Sequence, residues 1–194
     1  MAMKPERDIL AALDQQIKND EIIELRELAA VTTLFRISPN RGIVDYLHSL
    51  VKSSVNSPSV EMMLGLLEPL KNNVDKMILL IEEAKKTADD LEARAKTIAN
   101  RVVSKNLILR PEARASINEV KSAGSIRKRF DRLKTALENL NKALQDALVR
   151  QQMNAYFNAE SLAHEVIREV TAIRLNFREI IYCERILERL EGLP

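Results

Sequence analysis

Two pairs of side chains in this sequence combine residue types that can hold a metal ion. Asp45 precedes His48 by three residues, Glu160 precedes His164 by four, and the chain has only 2 histidines. Residues three or four apart share one helix face, so each pair would present a carboxylate beside an imidazole. A di-iron carboxylate bundle, however, needs Glu-x-x-His on two helices and a further glutamate on each of two others. Neither pair matches, so we expect no metal, no cofactor, and two ordinary histidines at the surface or partly buried.

Nucleophilic chemistry has little support either. The single cysteine, Cys183, lies beside Tyr182 in an apolar stretch and has no neighbouring histidine or basic cluster. A thiol in such surroundings is more often packed than reactive. The sequence also lacks a glycine-rich phosphate loop and a Gly-x-Ser-x-Gly motif. We therefore expect no catalytic residue, no small-molecule substrate and no enzymatic activity.

One local charge asymmetry stands out, and we call residues 127–134 the basic collar. It contains the run Arg127, Lys128 and Arg129, followed by Arg132 and Lys134. Cations near a helix N-terminus oppose the macrodipole, so the collar could be placed for nucleic acid or anionic lipid. The favoured alternative is that it faces acidic side chains of a neighbouring helix or a partner protein. No nucleic-acid-binding signature accompanies it, and 30 basic against 28 acidic residues leave no global field.

The element on which the chain is organised is a heptad seam. Its apolar positions follow an unbroken 4-3 spacing: Met63, Leu67, Leu70, Val74, Met77, Ile81, Ala84, Ala88, Leu91, Ala95, Ile98 and Val102. This spacing predicts one long amphipathic helix over about 59–104. Pro69 removes a backbone hydrogen bond within it and crowds the carbonyl of Gly65. We expect either a kink at 65–69 or a break, with Pro69 restarting the helix.

Near its middle this helix is apolar all round for one turn, because Ile78, Leu79 and Leu80 lie between seam positions. Such a turn must be surrounded by the protein or exposed for a partner. Leu79 is the position furthest from the seam, with Leu80 beside it. We therefore select Leu79 and Leu80 as candidate interaction residues, and the alternative is that the first predicted helix or the short helix 43–55 covers Leu79.

Residues that commonly begin or end a helix predict the bounds of the other helices. They predict helices over about 5–36, with a four-residue insertion at Asn19-Asp20, and over 43–55, 111–121, 125–157 and 159–190. The breaks fall at 38–42, at 56–59, in a connector whose Leu107, Ile108 and Leu109 pack against the bundle, at 122–125 and at 156–158. Only asparagines mark the last break, so a continuous helix there stays open. The helix from 125 carries a second seam through Phe130, Leu133, Leu137, Leu140, Leu144 and Ala147.

Composition agrees with these patterns. Charged residues make up 30% of the chain and aromatic residues 4%, with 4 glycines and no tryptophan, which is typical of helical bundles. We predict an all-α fold: an elongated antiparallel bundle with coiled-coil-like seams, about four long helices and one or two short ones. At 194 residues the chain fits a single domain, 1–194, with a short helical insertion at about 41–56.

These features favour a non-enzymatic protein-interaction, scaffold or adaptor protein that binds itself or another protein through long amphipathic helices. Binding of nucleic acid or an anionic membrane through the collar is the alternative. The candidate interaction residues are Leu79, Leu80, Arg127, Lys128, Arg129 and Arg132. The N-terminus has no apolar run suited to a signal peptide, and residues 77–81 fall far short of the roughly 20 that a membrane span needs. We expect a soluble cytoplasmic protein and leave signal-independent export open.

Overall fold

The computed structural model describes residues 29–39, 41–52 and 60–192, and these ranges contain helices and no strand. The helices are α1 (Ala29–Arg36), α2 (Arg41–Lys52), α3 (Val60–Lys85), α4 (Ala88–Ser104), α5 (Pro111–Val120), α6 (Ser125–Arg150) and α7 (Met153–Glu191). The all-α class is therefore confirmed. The expected insertion at Asn19-Asp20 and the break at 56–59 lie outside the described residues.

The seam is the core of α3 and α4. Every predicted position from Met63 to Ile98 is buried, and Val102, in the last turn of α4, is partly buried. A 4-3 spacing keeps one stripe of a helix facing its neighbours, which is why these positions are removed from solvent together. The periodicity alone thus predicted which side chains form this core.

The interruption of this element lies elsewhere than expected. Pro69 is inside the continuous helix α3, so a break there was wrong, and the exposed Pro69 and Gly65 leave the buried face undisturbed. The helix is interrupted instead by a turn at Lys86-Thr87, just before Asp89 and Asp90 in the first turn of α4. Acidic residues favour a helix N-terminus, which explains why α4 begins there.

The chain forms two compact units. Of the described residues, the first unit contains 29, 86–127 and 173–192, and the second contains 30–39, 41–52, 60–85 and 128–172. The predicted single domain is not tested by this division and stays a prediction, as does the elongated shape.

Within the second unit α3 and α6 run antiparallel. The Lys71 ammonium donates to the Asn141 side chain at 3.0 Å, and the Lys134 ammonium donates to the Glu82 carboxylate at 2.6 Å. As the residue number increases along α3, the number of the partner residue on α6 decreases, so the two helices run in opposite directions, as an antiparallel bundle requires. The α6 seam is fully buried, from Phe130 to Ala147.

Within the first unit α4 and α7 run side by side in the same direction. Arg94 forms a two-pronged ion pair with Glu184, at 2.7 and 2.5 Å, and Arg101 bonds Glu191 at 2.6 Å. The constant offset between partners shows a parallel register. The predicted antiparallel packing therefore holds for α3 and α6 but not for α4 and α7.

Two connections differ from the sequence predictions. The turn expected at 156–158 lies instead at Gln151-Gln152, where Gln151 has φ +51° and its N–H bonds the Ala147 carbonyl. Tyr156 is consequently a buried residue of α7.

In the connector before α5, Ile108 is exposed, so its predicted packing against the bundle was wrong, while Leu107 and Leu109 are partly buried. Helix α2 also begins two residues earlier than predicted, at Arg41.

Candidate functional site

The structure brings three of the four potential metal-binding side chains together, and we call His48, Glu160 and His164 the His-Glu-His cluster. One oxygen of Glu160, Oε1, lies 2.5 Å from Nδ1 of His48 and 2.8 Å from Nε2 of His164. The three donor atoms all lie within 4.8 Å of one another. The histidine rings face each other edge-on, with centroids 5.9 Å apart and an interplanar angle of 81°.

Two helices position the cluster. On α7, Glu160 and His164 are one turn apart and share a face, as their spacing predicted. On α2, the buried Val44 and Leu47 fix the helix, and His48 follows Leu47 toward the same side. Helix α2 also packs against α3, so His48 is held by a docked helix although it is 112 residues from Glu160 in sequence.

The cluster is more buried at its carboxylate than at its imidazoles. Glu160 is only 3% exposed, whereas each histidine side chain is 36% exposed. Among the described residues, the hydrogen-bond partners of Glu160 are these two histidines. A buried carboxylate is costly unless a positive charge or good donors compensate it, and imidazoles are donors with no permanent charge. The electrostatics of the cluster thus favour a cationic guest.

Asp45, the fourth candidate, is not part of the cluster. Its side chain is exposed and lies 3.9 Å from Arg41 on its own helix. Asp45 and His48 therefore do not act as a pair: the partner of His48 comes from α7. Spacing within one segment could not reveal this, because the contact depends on how α2 docks.

Leu79 and Leu80 differ in exposure. Leu79 is 81% exposed on α3, whereas Ile78 and Leu80 are partly buried. Met77 and Ile81, on either side, are buried in the seam. The helices that the structure describes therefore do not cover Leu79, which was one of the two alternatives for this turn.

The basic collar is largely paired inside the protein. Arg127 forms a two-pronged pair with Asp89 at 2.8 and 2.5 Å, Lys134 pairs with Glu82, and Arg132 lies 3.9 Å from Glu169. The prediction that the collar faces acidic side chains of neighbouring helices is confirmed for these residues. The pairing lowers the pKa of Asp89 and of Glu82, because the neighbouring cation stabilises each carboxylate. Arg129 is partly buried and Lys128 is exposed.

Helix α7 contains a second buried carboxylate that no sequence pattern indicated. Glu179 is 4% exposed and accepts two hydrogen bonds from the Arg110 guanidinium, at 3.1 and 2.7 Å. The same guanidinium lies 4.1 Å above the Tyr182 ring. Arg110 immediately precedes α5, so the pair fastens the connector to α7. The only available signal was an arginine before Pro111, which does not identify a partner.

Cys183 is fully buried, as the apolar surroundings predicted. Burial, with a smaller contribution from the Glu179 charge, raises the pKa of its thiol to about 12. A thiol with this pKa is almost entirely protonated at neutral pH and is a poor nucleophile. The structure therefore offers no support for chemistry at this cysteine.

No helix in the described part of the chain is both long enough and apolar enough to cross a membrane. In comparisons with protein-family models, curated proteins and solved structures, nothing matches this chain. Its candidate sites thus rest on the geometry above.

Proposed function

We propose that the protein is a non-enzymatic interaction or scaffold protein, and that a partner helix binds at Leu79 on α3. The observation that carries this proposal is the 81% exposure of Leu79 in the middle of a helix whose seam is buried. Burying a leucine side chain contributes about 1.5–3 kcal/mol, so this position favours a partner that covers it.

The surroundings of Leu79 support a small contact with polar edges. Leu80 is partly buried beside it, and the exposed Lys76 and Glu83 lie three residues before and four residues after it on the helix surface. Apolar anchors encircled by charged residues are common at protein interfaces. A stable interface needs about 800 Å² on each partner, so Leu79 would be the anchor of a wider or a transient contact.

Binding of nucleic acid or an anionic membrane through the collar remains the alternative function, with less support. Arg127 and Lys134 already have carboxylate partners, and a polyanion would have to displace them. Lys128 is the exposed collar residue with no ion pair in the described part of the chain. One such charge gives a weak and strongly salt-dependent attraction.

The substitution Leu79→Lys tests the interaction proposal, with Val149→Lys as the matched control. Val149 is also a strongly exposed aliphatic residue, at 71%, but lies on α6. We expect both variants to unfold like the wild type in urea, since neither side chain is buried. Sedimentation equilibrium and affinity capture from the native source should show that only Leu79→Lys loses self-association or the captured partner.

Two outcomes would contradict the proposal. Retention of every association by Leu79→Lys would show that Leu79 is not an anchor. Capture of nucleic acid alone, released by moderate salt, would favour the collar instead.

A cytoplasmic location belongs to the same proposal, supported by a single buried cysteine that suits a reducing compartment.

A further inference from the structure

We propose that His48, Glu160 and His164 bind one divalent transition-metal ion, with zinc as the ion that fits the donor set best. This inference goes beyond the interaction function and reverses the expectation of no metal. It rests on the convergence of one carboxylate oxygen and two imidazole nitrogens within 4.8 Å.

The donor types select the class of metal. Imidazole nitrogens favour zinc and other late first-row divalent ions, whereas calcium and magnesium favour sites made of oxygen ligands. Two histidines and one glutamate form a known three-ligand zinc set, which leaves a fourth position for water or another ligand. Both rings are about one-third exposed, so solvent reaches the cluster from the histidine side.

The distances fit a metal after a small rearrangement of the rings, in which both imidazoles withdraw from the Glu160 oxygen and the two nitrogens, which lie within 4.8 Å of each other, come closer together. Zinc bonds of about 2.0–2.2 Å at tetrahedral angles separate neighbouring ligand atoms by roughly 3.3–3.5 Å. The two nitrogen to oxygen distances are 2.5 and 2.8 Å, so each imidazole must withdraw by less than about 1 Å. Both imidazole side chains are 36% exposed, so solvent borders part of each ring, whereas the Glu160 side chain is 4% exposed.

Charge gives a physical reason for the metal. Among the residues that the structure describes, the buried carboxylate of Glu160 has two imidazole partners and no guanidinium or ammonium partner. A divalent cation would compensate the carboxylate and take both imidazoles as neutral ligands, through Nδ1 of His48 and Nε2 of His164. It would also link α2 to α7 across 112 residues of sequence. Because it binds the folded state, the metal should stabilise this docking.

The experiment is isothermal titration of the tag-free, chelator-treated full chain with zinc chloride, followed by metal analysis after dialysis. We expect one zinc per chain in the wild type and at least tenfold weaker binding in His48→Gln and in His164→Gln. Glu165→Gln, at an exposed glutamate on the same helix, is the control and should bind like the wild type. Calcium and magnesium chloride should give no binding.

Two results would overturn the proposal: no zinc binding by the folded wild type, or unchanged binding in both histidine variants. Circular dichroism at matched concentration verifies that each variant is folded. If a histidine variant does not fold, Glu160→Gln replaces it, because the amide keeps the shape and a hydrogen-bond acceptor but is a poor metal ligand. Wild-type affinity in folded Glu160→Gln would likewise contradict the site.

Discussion

Helix α7 contains two buried glutamates that differ in the charge of their hydrogen-bond partners. Glu179 is bonded by the guanidinium of Arg110, which is a permanent cation, and Glu160 by His48 and His164, which are not. The two carboxylates are almost equally buried, at 4% and 3%. Burial alone therefore does not identify a binding site. A buried carboxylate whose partners can become metal ligands is a candidate metal site, whereas a buried carboxylate that pairs with an arginine forms a structural ion pair.

Loss of Arg110 should have the largest effect on stability. Arg110→Ala leaves the Glu179 carboxylate buried without its cation, which costs about 3–5 kcal/mol of unfolding free energy. Urea unfolding measures this loss, and Lys121→Ala, at an exposed residue, should change little. A loss in Arg110→Ala below about 1 kcal/mol would show that water reaches Glu179 and that the pair is not structural.

A second substitution sharpens this result. Adding Glu179→Gln to Arg110→Ala removes the unpaired charge and should recover part of the lost stability, because the remaining amide is less costly to bury. No recovery would indicate that the contact of Arg110 with the Tyr182 ring, rather than the ion pair, stabilises the connector.

The corresponding change at the other glutamate should be mild. In metal-free protein, Glu160→Gln removes a buried charge together with its charge-assisted hydrogen bonds, and these effects oppose each other. We expect a change of no more than about 1 kcal/mol in urea unfolding. A loss as large as that of Arg110→Ala would make Glu160 a structural residue and erase the contrast.

The smallest effect is expected at the exposed pairs of the collar. The Lys134 ammonium lowers the pKa of Glu82 below its ordinary 4.5, so the stability from this pair is present above that pH. It is lost as the pH falls through the lowered value. The urea midpoint of Lys134→Ala should therefore lie slightly below that of the wild type at pH 7 and converge with it as the pH falls well below 4.5. A pH-independent difference would indicate lost packing of the lysine stem instead.

Sequence patterns predicted the buried positions of α3, α4 and α6, because a seam is a local property of one helix. The same patterns did not predict where the turns between helices lie. Thr87 has φ −79° and ψ −8°, close to helical values, and Ala84 and Ala88 keep the seam spacing across it, so the pattern shows no interruption. Gln151 adopts a positive φ without being glycine or asparagine, the residues that usually mark such a turn.

The candidate sites were predictable to the extent that they lie on one helix. The Glu160 and His164 pair was visible from its spacing, and so was the position of Leu79 opposite the seam. The contribution of His48 was not, because it depends on the docking of α2 against α7. The partner of Glu179 was hidden for the same reason, since Arg110 lies in a connector whose path the sequence does not determine.

X-ray absorption at the zinc edge of the zinc-loaded wild-type chain would show whether His48, Glu160 and His164, rather than Glu179, bind the metal. We expect about two imidazole nitrogens and one carboxylate oxygen at roughly 2.0–2.2 Å, with water completing the shell. The spectrum of folded Arg110→Ala should be the same, and that of His48→Gln should show one imidazole fewer. A wild-type spectrum without imidazole, or one that His48→Gln leaves unchanged, would contradict the account.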